Sequence, residues 1–161
     1  MKNNKKKKYI LYIIFAFIIL FSILYKLFHK PVTPFKPSDN TIKYSAVYEY
    51  NYDGDTAVFY IKELGRKTVR FIGVDSPEKD EEGYLEAKDY TNKELSNGLN
   101  IILELDPHSP DYDKYERLLA WVWIDNELIQ TKLITSNNAT IKYLDSNYLY
   151  ANYLYSINVT K

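Results

Sequence analysis

Between Arg70 and Glu78 the chain reads Arg-Phe-Ile-Gly-Val-Asp-Ser-Pro-Glu, which puts a guanidinium and two carboxylates within nine residues. Val69, Phe71 and Gly73 alternate with Arg70, Ile72 and Val74, a strand pattern with apolar residues on both faces. Pro77 cannot donate to a ladder and excludes helical geometry at Ser76, so the strand is expected to stop there. Asp75 and Glu78 then lie on a turn beside a cation projecting from the strand. Such a set suits phosphate chemistry on a hard divalent cation, with carboxylates for the ion, an acid or base for water, and a guanidinium for phosphate. A second acidic turn, Asp53-Gly-Asp55-Thr56, lies upstream, and Asp113-Lys-Tyr-Glu-Arg117 lies downstream. A calcium site needs about six to eight oxygen ligands, hence two or more carboxylates plus carbonyls and waters. Asp55 and Asp75 are the candidates, since each borders a strand that a barrel can bring to the other. Asp53 and Asp55 also suit a tight turn with no further role, and Asp53 is read that way.

The elements that must hold these groups are short. Strand patterns run over Lys43–Tyr50, Asp55–Lys62 and Lys67–Val74, with Gly65 in the turn between the last two. Tyr84, Ala87, Thr91 and Leu95 share one face of a predicted helix that Asn97-Gly98 closes. Leu99 to Leu105 alternates again, with Ile101, Leu103 and Leu105 on one side. Pro107 and Pro110 make residues 106–116 a loop. Leu118 to Ile124 reads as a buried strand, and Glu127 to Thr135 as a helix with Leu128, Thr131, Lys132 and Thr135 spaced for contacts. Three strands, a helix, two strands and a helix describe an α+β fold: a five-stranded OB-fold β-barrel with packed helices.

Composition narrows the chemistry. The 161 residues include no cysteine, which excludes disulfides and thiolate metal sites. Two histidines, His29 and His108, are too few and too scattered for a histidine zinc centre. The formal charge of zero hides an asymmetry. Residues 1–30 hold seven of the 21 basic residues and no acid, leaving 14 basic against 21 acidic residues in the rest, a net of −7. A polyanion would have to be held by local cations and a metal, not by a generally basic surface.

Residues 1–8 form a basic tail, and Tyr9 to Phe28 is an apolar run of 20 residues broken only by Lys26. At about 1.5 Å per residue it spans roughly 30 Å, the thickness of a bilayer core. Lys5 to Lys8 place the N-terminus in the cytoplasm by the positive-inside rule, and the rest across the cell membrane. A cleaved signal peptide, releasing a secreted protein, would begin alike. The stretch from Phe21 to Lys26 offers no small-residue cleavage pattern, which favours a single-pass anchor. Residues 29–40, with Pro31, Pro34 and Pro37, form a linker to a domain at 41–161.

The three motifs, in this order and spacing, resemble the staphylococcal nuclease (thermonuclease) family over roughly Lys43 to Tyr143. That resemblance implies calcium held by the carboxylates of Asp55 and Asp75 and the carbonyl of Ser76, where the family usually has threonine. It implies that Glu78 activates the attacking water, and that Arg70 and Arg117 bind the phosphate and stabilise its transition state. Tyr115 and Tyr143 would contact the nucleotide. The implied activity is calcium-assisted hydrolysis of phosphodiester bonds in DNA or RNA; with the N-terminal segment, the expectation is a membrane-anchored enzyme with its catalytic domain outside the cytoplasm and no obligate protein partner. Two departures stand out. Glu116 replaces the usual glycine before Arg117, where it would pair with that arginine or repel substrate. Residues 146–161 lack the expected long charged helix and offer only Tyr148, Tyr150, Tyr153 and Tyr155 for a stub. With the −7 charge, these departures motivate an alternative, a catalytically weak OB module that binds nucleic acid or protein.

Overall fold

Strand β1 (Lys43–Asn51) pairs antiparallel with β2 (Thr56–Ile61) on one side and β5 (Ile101–Glu104) on the other. Tyr48 faces Phe59 and Tyr50 faces Val58, so Glu49 is an extra residue in β1. Such a bulge bends a strand and raises its twist, as closing a small barrel requires. β2 continues antiparallel into β3 (Gly65–Phe71), and β5 into β6 (Leu118–Ile124). A parallel contact of β3 with β6, from Val69 beside Leu118 to Phe71 beside Ala120, joins the ends. The five strands β1, β2, β3, β6 and β5 therefore close on themselves, giving the α+β barrel that the sequence pattern predicts. The computed structural model describes residues 36–158. The expected basic tail, transmembrane segment and most of the linker lie outside the described residues. Among those described, no helix is long and apolar enough to cross a membrane.

Inside the barrel, Phe59, Phe71, Leu103 and Leu118 are fully buried, while Trp121 and Trp123 are fully buried on the other face of β6, against Tyr150. Helix α1 (Tyr84–Asn97) closes one side with Ala87, Thr91 and Leu95, the spacing that its sequence predicts. Helix α2 (Ile129–Thr135) differs from expectation in its face. Ile129, Gln130, Leu133 and Ile134 are buried, whereas the anticipated contacts at Thr131, Lys132 and Thr135 are not. The cause is the helix start, because Glu127–Leu128 first pairs with β6 as the short strand β7 and so rotates the helix behind it. Lys132 instead bridges Glu94 of α1 at 2.9 Å and Glu127 at 2.6 Å.

β5 hides a carboxylate that alternation would send to solvent. Glu104 is completely buried, and its oxygens accept bonds from Trp123 Nε1 at 2.7 Å and the Tyr150 hydroxyl at 2.8 Å. They also accept the Ser38 N–H at 2.8 Å and the Thr41 hydroxyl at 2.5 Å. A buried carboxylate is tolerable only when its lone pairs are filled in this way. Two residues on, Asp106 accepts Trp121 Nε1 and the Leu149 N–H, each at 2.8 Å. Together these acids fasten the segment leading into helix α3 (Ala151–Asn158), whose Ala151 and Leu154 are buried. Of the four tyrosines expected on that stub, Tyr150 is the one that enters the core, edge-on to Trp121 and Trp123.

The strand carrying Arg70 stops earlier than Pro77 suggests. β3 ends at Phe71, the chain turns at Ile72-Gly73 with Gly73 at φ 77°, and Val74–Asp75 forms a separate strand, β4. β4 pairs antiparallel with β8 (Thr140–Ile141), Val74 opposite Ile141 and Asp75 opposite Thr140. A β-branched or bulky side chain at position 73 would meet that backbone angle at a cost that glycine avoids.

Candidate active site

Gly54 is the hinge on which the acidic turn meets the rest of the site. A Cβ there would stand 2.7 Å from the Ser76 Cβ and 2.9 Å from the Ala87 Cβ. Only glycine admits that approach of the β1–β2 turn to the start of the Ser76 loop and to α1. The Gly54 N–H donates to Ser76 Oγ at 3.1 Å, and Thr91 Oγ1 donates to the Gly54 carbonyl at 2.6 Å. Asp53 proves to be a turn residue, its Oδ1 accepting the Asp55 N–H at 3.0 Å. Asp55 is thereby carried inward, 4% exposed.

Arg70 brings the two candidate metal ligands together. Its Nη1 lies 2.9 Å from Asp55 Oδ1, and its Nη2 lies 2.9 Å from Asp75 Oδ1. Nη1 also donates to the carbonyls of Val74, at 2.6 Å, and Phe71, at 3.2 Å. Asp55 Oδ2 accepts the Ser76 N–H at 2.6 Å. Burial nevertheless outweighs the attraction of Arg70 and, with the charge of Asp53, pushes the Asp55 carboxyl up to about 6. Asp75 is less enclosed, and its Oδ2 holds Lys142 Nζ at 2.7 Å. Two carboxylates thus converge on one guanidinium, through its Nη1 and Nη2 groups.

Arg117 is held differently. Its Nε and Nη2 both lie 2.7 Å from Asp113 Oδ2, while Asp113 Oδ1 accepts the N–H groups of Tyr115 and Arg117. Partial burial pushes the Asp113 carboxyl up, but the backbone N–H of Arg117, its guanidinium and the N–H of Tyr115 outweigh that and hold it below the usual carboxylate range. Nη1 takes no part in the Asp113 pairing, so part of the fork remains for a second anion. The Asp113-Lys-Tyr-Glu-Arg117 motif does not by itself give Asp113 this role; its only signal is an acid four residues before the arginine. Tyr115 stacks against Arg117, 5.3 Å from centroid to guanidinium, and Lys114 Nζ lies 4.9 Å from the same ring.

A cavity of about 620 Å³ has Arg70, Arg117, Tyr115, Tyr143, Lys114 and Lys142 in its lining, whereas Asp55, Asp75 and Ser76 lie behind Arg70 and do not line it. Tyr115 and Tyr143 are mostly exposed there, as ring platforms for a base must be. Glu78 is not part of that lining. It is exposed on the loop after Pro77, where its own N–H donates to Glu81 Oε2 at 2.7 Å. Among the described residues its carboxylate has no hydrogen-bond or ion-pair partner. Ser76 is buried beside Asp55, with its hydroxyl turned to Gly54.

Glu116 neither lines the cavity nor pairs with Arg117, because Asp113 already occupies that arginine. It adopts φ 62°, the left-handed region that glycine tolerates freely. A left-handed L-residue costs about 1–2 kcal/mol, partly offset by the extra chain entropy that glycine brings to the unfolded state. Glu116→Gly is expected to stabilise the domain by about 0.5–1 kcal/mol in denaturant titration. A loss of stability on this substitution would mean that the carboxylate makes a contact worth more than the backbone strain.

Residues 68–158 match the model of the staphylococcal nuclease homologue family. Over 97 residues the chain is 36% identical to endonuclease YncB of Bacillus subtilis (strain 168), covering 57% of this chain and 45% of that protein. It is 34% identical over 101 residues to the thermonuclease of Staphylococcus hyicus, covering 59% and 57%. It is 33% identical over 121 residues to the thermonuclease of Staphylococcus intermedius, covering 71% and 70%. The chain thus spans about half the length of the first two of these relatives. With the closed barrel, the acid pair on Arg70 and the arginine held by Asp113, these matches make the chain a member of the staphylococcal nuclease homologue family.

Proposed function

We propose that this domain is a calcium-dependent nuclease that hydrolyses phosphodiester bonds of DNA or RNA. The observation that carries the proposal is the convergence of Asp55 and Asp75 on Arg70, an arginine that itself lines one cavity with Arg117, Tyr115 and Tyr143. The fit to a metal rests on the donor set. Among the described residues no group of three or more histidines, cysteines or acids gathers, so any ion has two carboxylates at most, completed by carbonyl and water oxygens. Calcium accepts such an all-oxygen shell, whereas zinc prefers nitrogen and sulfur. The inward Asp55 carboxylate, whose ionisation burial disfavours, gains most from a nearby cation. Asp55, Asp75 and the Ser76 carbonyl would hold the ion, which when bound supplies charge neutralisation at the phosphate.

The chain's own residues do the rest. Arg117, fixed by Asp113, presents its remaining N–H donors to a phosphate oxygen and stabilises the added charge of the five-coordinate transition state. Arg70 holds the two acids on one guanidinium and adds a second positive charge to the cavity. Tyr115 and Tyr143 position the flanking nucleotide by stacking. Glu78 takes the proton of the attacking water. Its place on an exposed loop, with no competing partner, leaves its carboxylate free to turn toward the scissile phosphate.

The test is cleavage of single- and double-stranded DNA and RNA by the full-length protein, with calcium and with a chelator, beside Glu78→Ala. Calcium-dependent cleavage lost in that variant is the expected result. The absence of Glu78 from the cavity favours the alternative, a binding module of weak activity. Nucleic-acid binding without cleavage would establish that reading instead.

The membrane anchor belongs to the same proposal and rests on Tyr9–Phe28 and the preceding lysines alone. Intact cells treated with protease should lose the domain while retaining the basic tail. A domain that survives while an outward-facing control protein is digested would place it on the other side of the membrane.

A further inference from the structure

Lys142 is a placed cation, not a wandering surface lysine. Its N–H donates to the Gly73 carbonyl at 3.1 Å, directly after the residues through which β8 pairs with β4. That ladder sets the root of its side chain beside Asp75, and Nζ closes on Asp75 Oδ2 at 2.7 Å. All four oxygens of the acid pair are then engaged: two by Arg70, one by the Ser76 N–H and one by Lys142. Of these partners only Lys142 can leave cheaply. The Arg70 side chain is 11% exposed and tied to two backbone carbonyls, whereas the Lys142 side chain is 50% exposed on a flexible stem. The same ammonium lies 5.1 Å over the Tyr143 ring and lines the cavity with Arg117 and Tyr115. A cation released from Asp75 is thus already where a phosphate would lie.

We propose that Lys142 is a shared counterion of this site, neutralising Asp75 while the metal is absent and taking a substrate phosphate once a divalent cation claims that carboxylate. The inference rests on the calcium-dependent reading and adds a residue and a coupling to it. Calcium must displace Lys142, which weakens metal binding in the absence of nucleic acid. A phosphate that accepts the displaced ammonium returns that cost. Metal and substrate therefore reinforce each other, each raising the other's affinity by the same factor. Lys142 acts as a substrate-positioning residue and as the element that makes metal loading depend on substrate.

The experiment is a calorimetric titration of calcium into full-length protein carrying Glu78→Gln, so that substrate is not consumed. It is run with and without a short single-stranded oligodeoxynucleotide, for Lys142, Lys142→Met and Lys142→Arg, with thermal melts confirming that each variant is folded. Lys142→Met should bind calcium roughly three- to thirtyfold more tightly without the oligonucleotide, because the competing charge is gone. The tightening that the oligonucleotide produces should shrink in the same variant, and Lys142→Arg should behave like the parent. Calcium binding in Lys142→Met that is equal to or weaker than the parent's overturns the proposal and leaves the calcium-dependent nuclease standing. A parent protein that binds no calcium overturns the nuclease reading itself, and this inference with it.

Discussion

Arg117→Ala is expected to lower kcat/KM for single-stranded DNA by about a hundred- to ten-thousandfold, the range for removing a charged donor aimed at developing transition-state charge. The size follows from how the side chain is held. Asp113 grips Nε and Nη2 while its other oxygen ties down the backbone of residues 115 and 117, so the guanidinium is oriented before substrate arrives. Truncation removes both a preorganised charge and the cation on which Tyr115 stacks. Arg117→Lys should recover little, because an ammonium cannot serve Asp113 and a phosphate with a planar fork. The loss should fall mainly on kcat, with the melting profile nearly unchanged, since the side chain is partly exposed at the cavity and not in the core. A loss below about tenfold would reduce Arg117 to a loop tether and move the transition-state contact elsewhere.

Asp55→Asn should have opposite effects on stability and on activity. The folded-state carboxyl titrates at about 6 against an ordinary 3.8, so the native protein binds the extra proton between those values. Stability linked to this group is therefore full below about 4 and is lost as pH rises through about 6. At neutral pH without metal, the ionised side chain costs about 1–3 kcal/mol, a cost that the amide escapes. Urea titrations in chelator should find Asp55→Asn more stable than the parent at pH 7, with the advantage fading toward pH 4. Comparison with the variant cancels groups of opposite sign such as Asp113, whose lowered carboxyl favours the fold as pH rises. Calcium-dependent cleavage should disappear, since one of two carboxylate ligands is gone. A variant less stable than the parent at pH 7 would mean that the ion pair with Arg70 outweighs burial.

Much of the barrel is legible because its strands announce themselves locally. Leu118 to Ile124 is found where its apolar run lies, and Ala87, Thr91 and Leu95 face the core at helical spacing. Where the reading slips, a distant partner decides. The break after Phe71 depends on β8, whose Thr140 is 65 residues beyond Asp75 and which captures Val74–Asp75 for a separate ladder. The rotation of α2 depends on Glu127–Leu128 joining β6 first. Glu104 looks like the solvent side of an alternating strand until Trp123 and Tyr150 supply its donors. The candidate site divides similarly. Asp55, Asp75 and Arg70 are motif residues and do come together, as Arg117, Tyr115 and Tyr143 share one cavity. Lys142 has no signal in the local sequence, because its partner Asp75 is 67 residues away. Glu78 shows the reverse, a motif residue whose neighbours in sequence, not in space, suggested its role.

The buried carboxylate of Glu104 also has a mechanical meaning. The incoming chain at Ser38 and Thr41 and the outgoing chain at Tyr150 are both tied to this one side chain. A pull entering at Lys36 meets the bonds of Ser38 and Thr41 before it can load the ladder of β1 on β5. Such an arrangement works like a cleat on a mooring line. Tension is taken up at Glu104, and the turn that carries Asp55, at the far end of β1, stays slack.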